Sequence, residues 1–224
     1  MLRLRWLMSF MMLALVAVSL PLWADGRVLV ILNPNKAMGN EFFGMMDVFE
    51  EYGIDVDVAG QDLGTYDFME DTLEGTGSGL QTGYEWTIAL TYDAIVLSLY
   101  DVLIMGPAHA HTFGFSGPRS RIVKDIVAQA AEEGMPLGGL TFGATFLVTN
   151  GYLDGRYAAD PPFYVGVLSE EAHMTGFLSL YDALYKPDCV WVDYGVEGQS
   201  TIVTANFQCI ESFALTIIEE FLSD

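Results

Sequence analysis

Residues 135–147, MPLGGLTFGATFL, restrict the possible folds more than any other part of the chain. A short apolar run led by Pro136 reads as a buried strand, the small residues that follow give a tight corner, and residues 144–148 begin a helix. In α/β sheets such a corner is where a nucleophile is usually presented. The turn lifts one side chain out of the strand and points the next N–H groups at a developing oxyanion. The residue at this corner is Thr141.

The rest of the chain supplies a sheet for that corner. Residues 27–32 (RVLVIL) form a strand that is β-branched and apolar without interruption after Arg27, as expected for a central parallel strand covered on both faces. Phe42, Met45, Met46 and Phe49 then fall at helical spacing, Gly53 closes the helix, and residues 54–59 make the next strand, which completes a right-handed βαβ unit. Residues 61–85 are polar and glycine-rich and read as a long loop or peripheral excursion. Residues 100–105 (YDVLIM) are a second clean strand, 109–118 a loop, and 119–133 an amphipathic helix ending at Gly134. A further helix is expected over 173–186, a hairpin over 190–194 and 201–204, and a closing amphipathic helix over 209–222. This alternation predicts one doubly wound α/β domain over 25–224, with its site at the carboxyl ends of the strands.

Residues 1–24 have the parts of a secretory signal: Arg3 and Arg5, an apolar run over 7–22, and Leu22-Trp23-Ala24 as a cleavage site. Cleavage would leave Asp25 as the mature N-terminus and put the protein in the periplasm or medium. Uncleaved, the same run is a marginal N-terminal anchor, the one expected link to a membrane. The formal charge is −21, and loss of Arg3 and Arg5 with all 30 acids retained makes it −23. Such a surface repels phosphate backbones, which argues against nucleic acid as a partner, and it keeps a very apolar chain soluble. Export makes a Cys189–Cys209 disulfide plausible, because the hairpin would bring Cys189 beside the end of the second strand, close to Cys209; two buried thiols are the alternative. Neither cysteine sits at the corner, so neither reads as a nucleophile.

Five motifs in order carry a family likeness: RVLVIL, Glu41 twelve residues before Gly53, YDVLIM with its small-residue corner, GGLTFGATFLVTNGYLDGRYA, and STIVTANFQCIESFALTIIEEF. Over residues 27–222 the chain resembles the ThiJ/PfpI family of the class I glutamine amidotransferase-like superfamily. The resemblance implies a three-layer flavodoxin-like sandwich with a mostly parallel central sheet, a reactive cysteine at the corner, an acidic residue beside it, no cofactor, and in many relatives a homodimer. The acidic residue maps to Glu41, a buried carboxyl expected to have a raised pKa and to hydrogen-bond Thr141 or a ligand, rather than a solvated first-turn glutamate.

Three positions depart from the family pattern. The cysteine position is Thr141, whose hydroxyl needs a strong base beside it where a thiol is already partly ionised near neutral pH. The histidine expected after the corner is replaced by Asp160. The Gly-Gly after the YDVLIM-type strand becomes Pro107-Ala108, and because proline has no N–H to donate, the amides of Ala108 and Phe142 are the remaining oxyanion donors. A β-branched residue at positive φ is costly, so the corner is expected to relax, unless its surroundings hold Thr141 against that cost.

The sequence thus points to an exported, catalytically degenerate domain that binds a small molecule or a protein in a pocket bounded by Glu41, Pro107, Ala108, Thr141, Phe142 and Asp160. The competing reading is a weak hydrolase or lyase that uses Thr141 and Glu41. His109 and His111 lie on one side of an extended segment, but two ligands do not make a metal site, and neither His173, Glu41 nor Asp160 is fixed as a third, so no metal is expected. Tyr152, Tyr157, Phe163 and Tyr164 are candidates for the rim of a pocket or for ordinary packing.

Overall fold

The computed structural model describes residues 26–32, 37–69, 81–107, 118–159, 184–186 and 188–223. In chain order the strands are β1 (Arg27–Ile31), β2 (Asp55–Gly60), β3 (Gly64–Met69), β4 (Gln81–Ile88), β5 (Leu90–Thr91), β6 (Val102–Met105), β7 (Leu137–Leu140), β8 (Tyr157–Ala159), β9 (Leu184–Lys186), β10 (Val190–Asp193) and β11 (Ile202–Ala205). The α-helices are α1 (Gly39–Glu51), α2 (Pro118–Glu132), α3 (Phe142–Thr149) and α4 (Ile210–Phe221).

Seven strands form the central sheet in the order β10-β11-β7-β6-β1-β2-β5, and every pairing is parallel except β10 with β11. The continuous apolar run of β1 follows from its place in the middle. Val28 and Val30 face one core with Phe42, Met45 and Phe49 of α1 and Phe213 and Ile217 of α4, while Leu29 and Ile31 face a second core with Val123 and Val127 of α2 and Phe146 and Leu147 of α3. Both faces of the sheet are therefore covered by helices, and each fully buried side chain of this size contributes about 1.5–3 kcal/mol. This is the flavodoxin-like α/β sandwich expected from the sequence.

One open expectation is resolved and another corrected. Of the two readings of 61–85, a long loop or a peripheral excursion, the excursion is what forms: β3 and β4, which runs on to Ile88, pair as an antiparallel hairpin apart from the main sheet, with Tyr66 opposite Trp86 and the hydroxyls of Thr65 and Thr87 2.9 Å apart. The hairpin is fixed by aromatic contacts to α1: Phe68, fully buried, stacks on Phe42 at 4.9 Å between ring centroids, and Trp86 meets the same ring edge-on at 5.0 Å. The apolar positions of β3 and β4 serve this local contact, outside the main sheet. Within the supposed helix 173–186, Leu184–Lys186 is instead strand β9, parallel to β8. Residues 173–183 lie outside the described residues.

The Cys189–Cys209 disulfide forms, with Cα atoms 5.9 Å apart, and links the approach to β10 with the start of α4. Among the described residues no helix is long and apolar enough to cross a membrane. Residues 1–24, read above as a secretory signal, lie outside the described residues.

Candidate active site

The corner after β7 is built by close approach of backbone. At Gly139 an added Cβ would lie 2.7 Å from the N and Cα of Ala144, and at Gly143 it would overlap the carbonyl oxygen of Met105, so the chain can fold back over the end of the sheet only with glycine at both places. Between them sits Thr141, with φ 49° and ψ −111°, the sole non-glycine residue at positive φ among the described residues. The expected relaxation has not happened: Thr141 keeps a strained elbow conformation that costs about 1–3 kcal/mol. Two bonds hold it there. Its N–H donates to the carbonyl of Ala205 on β11 at 2.9 Å, and its hydroxyl donates to Oε2 of Glu41 at 2.5 Å.

Glu41 reaches the elbow because of where α1 starts. The carboxyl end of β1 leads into α1, whose first turn carries Glu41. The glutamate is 3 % exposed and Thr141 0 %. A first-turn carboxylate on a surface helix would be solvated. This one is buried against the elbow of β7, while the next residue, Phe42, packs on Phe68 and Trp86 of the β3–β4 hairpin.

The remaining predicted positions divide. Pro107 is buried two residues beyond the end of β6, the strand whose Met105 carbonyl abuts Gly143. Phe142 opens α3 directly after the elbow. Ala108, Asp160, His109, His111 and His173 lie outside the described residues, as do Phe163 and Tyr164. Because the Thr141 N–H is already bonded to Ala205, backbone donors to an oxyanion begin at Phe142, where the first N–H groups of α3 have no acceptor within the helix. Among the described residues no group of three His, Cys, Asp or Glu is placed to hold a metal ion.

Sequence reasoning missed two side chains nearby. Thr204 on β11 is buried and accepts the Ala159 N–H at 2.7 Å, pinning the end of β8 to the strand that also holds the elbow. Thr145, one turn after Thr141, is 4 % exposed and its hydroxyl has no hydrogen-bond partner. The four-residue spacing from Thr141 was the available signal.

A cavity of about 380 Å³ lies at the opposite end of the sheet, where Leu137 and Ile202 begin β7 and β11. Tyr152 and Arg156 line it, and the Tyr152 phenol is pushed up by burial and then by the charges of Glu132 and Asp125. Tyr152 therefore does not border the elbow, and Tyr157 packs against Trp191 at 6.0 Å between centroids.

A parallel sheet covered on both faces, with a strained residue lifted at a strand-to-helix elbow against a buried carboxyl, defines an α/β sandwich protein with a strand–elbow–helix site. Within that class the chain belongs to the DJ-1/PfpI family, whose model matches residues 26–220. Similar solved structures include a ThiJ/PfpI domain protein from Brachyspira murdochii, 15 % identical, with a TM-score of 0.62 over 86 % of this chain and 94 % of that one. Drosophila melanogaster DJ-1beta is 20 % identical, with a TM-score of 0.62 over 89 % of this chain and 91 % of its own. A two-domain protein from Anabaena variabilis with DJ-1/ThiJ/PfpI-like and ferritin-like domains is 14 % identical, with a TM-score of 0.60 over 88 % of this chain and 48 % of that one. No curated protein matches the sequence.

Proposed function

We propose that this protein is an exported DJ-1/PfpI-family domain that has given up thiol chemistry and binds a small molecule or a protein partner at the Glu41–Thr141 elbow. The observation that carries this reading is the 2.5 Å hydrogen bond from the Thr141 hydroxyl to the Glu41 carboxyl at an unrelaxed elbow. A thiol in that place ionises near neutral pH. An alcohol does not, and a carboxylate is far too weak a base to take its proton outright. What the pair offers is recognition: a fixed hydroxyl, a buried carboxyl and the first N–H groups of α3. Asp160 and Ala108 complete the pocket in this reading, and export accords with the disulfide.

The second reading, a weak hydrolase or lyase with Thr141 as nucleophile or Glu41 as acid/base, draws support from the strain itself, since an elbow with no remaining chemistry is free to lose a conformation that costs about 1–3 kcal/mol. Screening a library of small metabolites by thermal shift separates the two. The binding reading expects a compound that raises Tm and a shift that Glu41→Ala removes. Catalysis expects turnover that Thr141→Ala abolishes with the fold intact. Were no compound to bind and no turnover to appear, the binding reading would be abandoned.

A further inference from the structure

Helix α3 carries two threonines one turn apart, and they behave differently. The hydroxyl of Thr149 makes the usual back-bond, donating to the carbonyls of Thr145 at 2.9 Å and Phe146 at 3.2 Å. For Thr145 the equivalent acceptor is the Thr141 carbonyl, which takes the Thr145 N–H at 3.3 Å and has a second lone pair, yet the Thr145 hydroxyl, 4 % exposed, bonds to nothing. A buried hydroxyl without a partner is destabilising, and native proteins seldom keep one without a use. Side chains on a helix lean toward its N-terminus and over the preceding turn, so this hydroxyl is directed at the turn that begins with Thr141.

We propose that Thr145 is a ligand-contacting residue of the Thr141–Glu41 site, its hydroxyl kept unpaired for an oxygen of an uncharged small molecule such as a carbonyl compound or amide. This rests on the binding reading of that site and deepens it. Three features select an acceptor oxygen without full charge. The start of α3 favours negative character. The Thr141 hydroxyl, its proton engaged by Glu41, presents only lone pairs to a ligand's N–H or O–H. The formal charge of −21 on the chain opposes an anion.

The test uses the full chain with acetamide and its anionic isostere acetate as probes, binding being followed by titration in the amide spectrum. Thr145→Val, which keeps the shape and removes the hydroxyl, is expected to raise Tm by about 3 °C or more, because an unpaired group is lost. Thr149→Val, which breaks real bonds, is expected to lower it. Acetamide should bind wild type more tightly than acetate does. Thr145→Val should weaken acetamide at least fivefold, and Thr145→Ser should restore it. A fall or no change in Tm for Thr145→Val would mean the hydroxyl has a partner, a buried water included, and overturns the proposal. A rise in Tm with acetamide binding unchanged in Thr145→Val but lost in Glu41→Gln overturns the role of Thr145 while leaving the binding site standing. Failure of wild type to bind acetamide, or a preference for acetate, overturns the ligand class; the metabolite screen on Glu41→Ala then decides separately whether the site binds anything.

Discussion

At Thr141 two opposing effects meet in one residue. Its backbone conformation favours glycine, and its side chain makes the 2.5 Å bond to Glu41. Thr141→Ala removes the bond and keeps the strain, whereas Thr141→Gly removes both. Glycine, ordinarily the more destabilising replacement next to a helix, is therefore expected to leave the protein more stable than alanine by about 1 kcal/mol, measured by denaturant unfolding. The opposite order would show that the elbow carries no strain. The corner itself singled out Thr141, and the resemblance to the ThiJ/PfpI family supplied Glu41 as its acidic partner. The sequence pointed the wrong way on relaxation, because the bonds that oppose it come from Ala205 and Glu41, which lie 64 and 100 residues away. Such non-local restraints leave no local mark. The orphaned hydroxyl of Thr145 was hidden for the same reason, since spacing identifies a helix face but not which of its hydroxyls finds an acceptor.

The elements around the site were legible in proportion to how much of each is dictated by its own period. Strands β6 and β7, apolar throughout, and β1, apolar after Arg27, read as central, and α2 and α4 show their faces plainly. The β3–β4 hairpin was obscured by the glycines of the intervening stretch, and its strands are held by rings on α1 that no periodicity announces. Another tertiary device joins β8 to β10. Arg156 donates through Nε to Oδ1 of Asp193 at 2.9 Å and through its terminal nitrogen to the carbonyls of Asp193 and Ser200, while the other Asp193 oxygen accepts the Tyr157 N–H. Burial raises the Asp193 pKa, but the hydrogen bonds from Tyr157, Arg156 and Gly195 outweigh it and hold the carboxyl below its usual value. The stabilisation that accompanies this shift is present above the unfolded pKa, near 3.9, and is lost as the pH falls through the lower folded value. Wild type should therefore lose Tm more steeply than Asp193→Asn below about pH 4, and parallel curves would contradict it. With side chains only 11 % and 13 % exposed, the pair behaves as buried, so Arg156→Met should cost about 3 kcal/mol at neutral pH.

For the molecule as a whole, the disulfide closes a segment with a sequence separation of 20 that includes the β10–β11 hairpin and the strand to which the elbow is bonded. Replacing both cysteines by serine is expected to lower stability by about 2–4 kcal/mol, and reduction of wild type should reproduce the loss. If the double variant melted with wild type, the bridge would be dispensable. The direction of the sheet has a last consequence. Residues Gly26 and Arg27 are fastened at the amino end of β1, the first against Leu222 and the second through its backbone N–H to Asp101, whereas Thr141 stands at the carboxyl end of the same parallel sheet. Any leader left attached would thus join the domain at the pole opposite its elbow. A tethered form would hold that corner outward, toward whatever diffuses past the lipid.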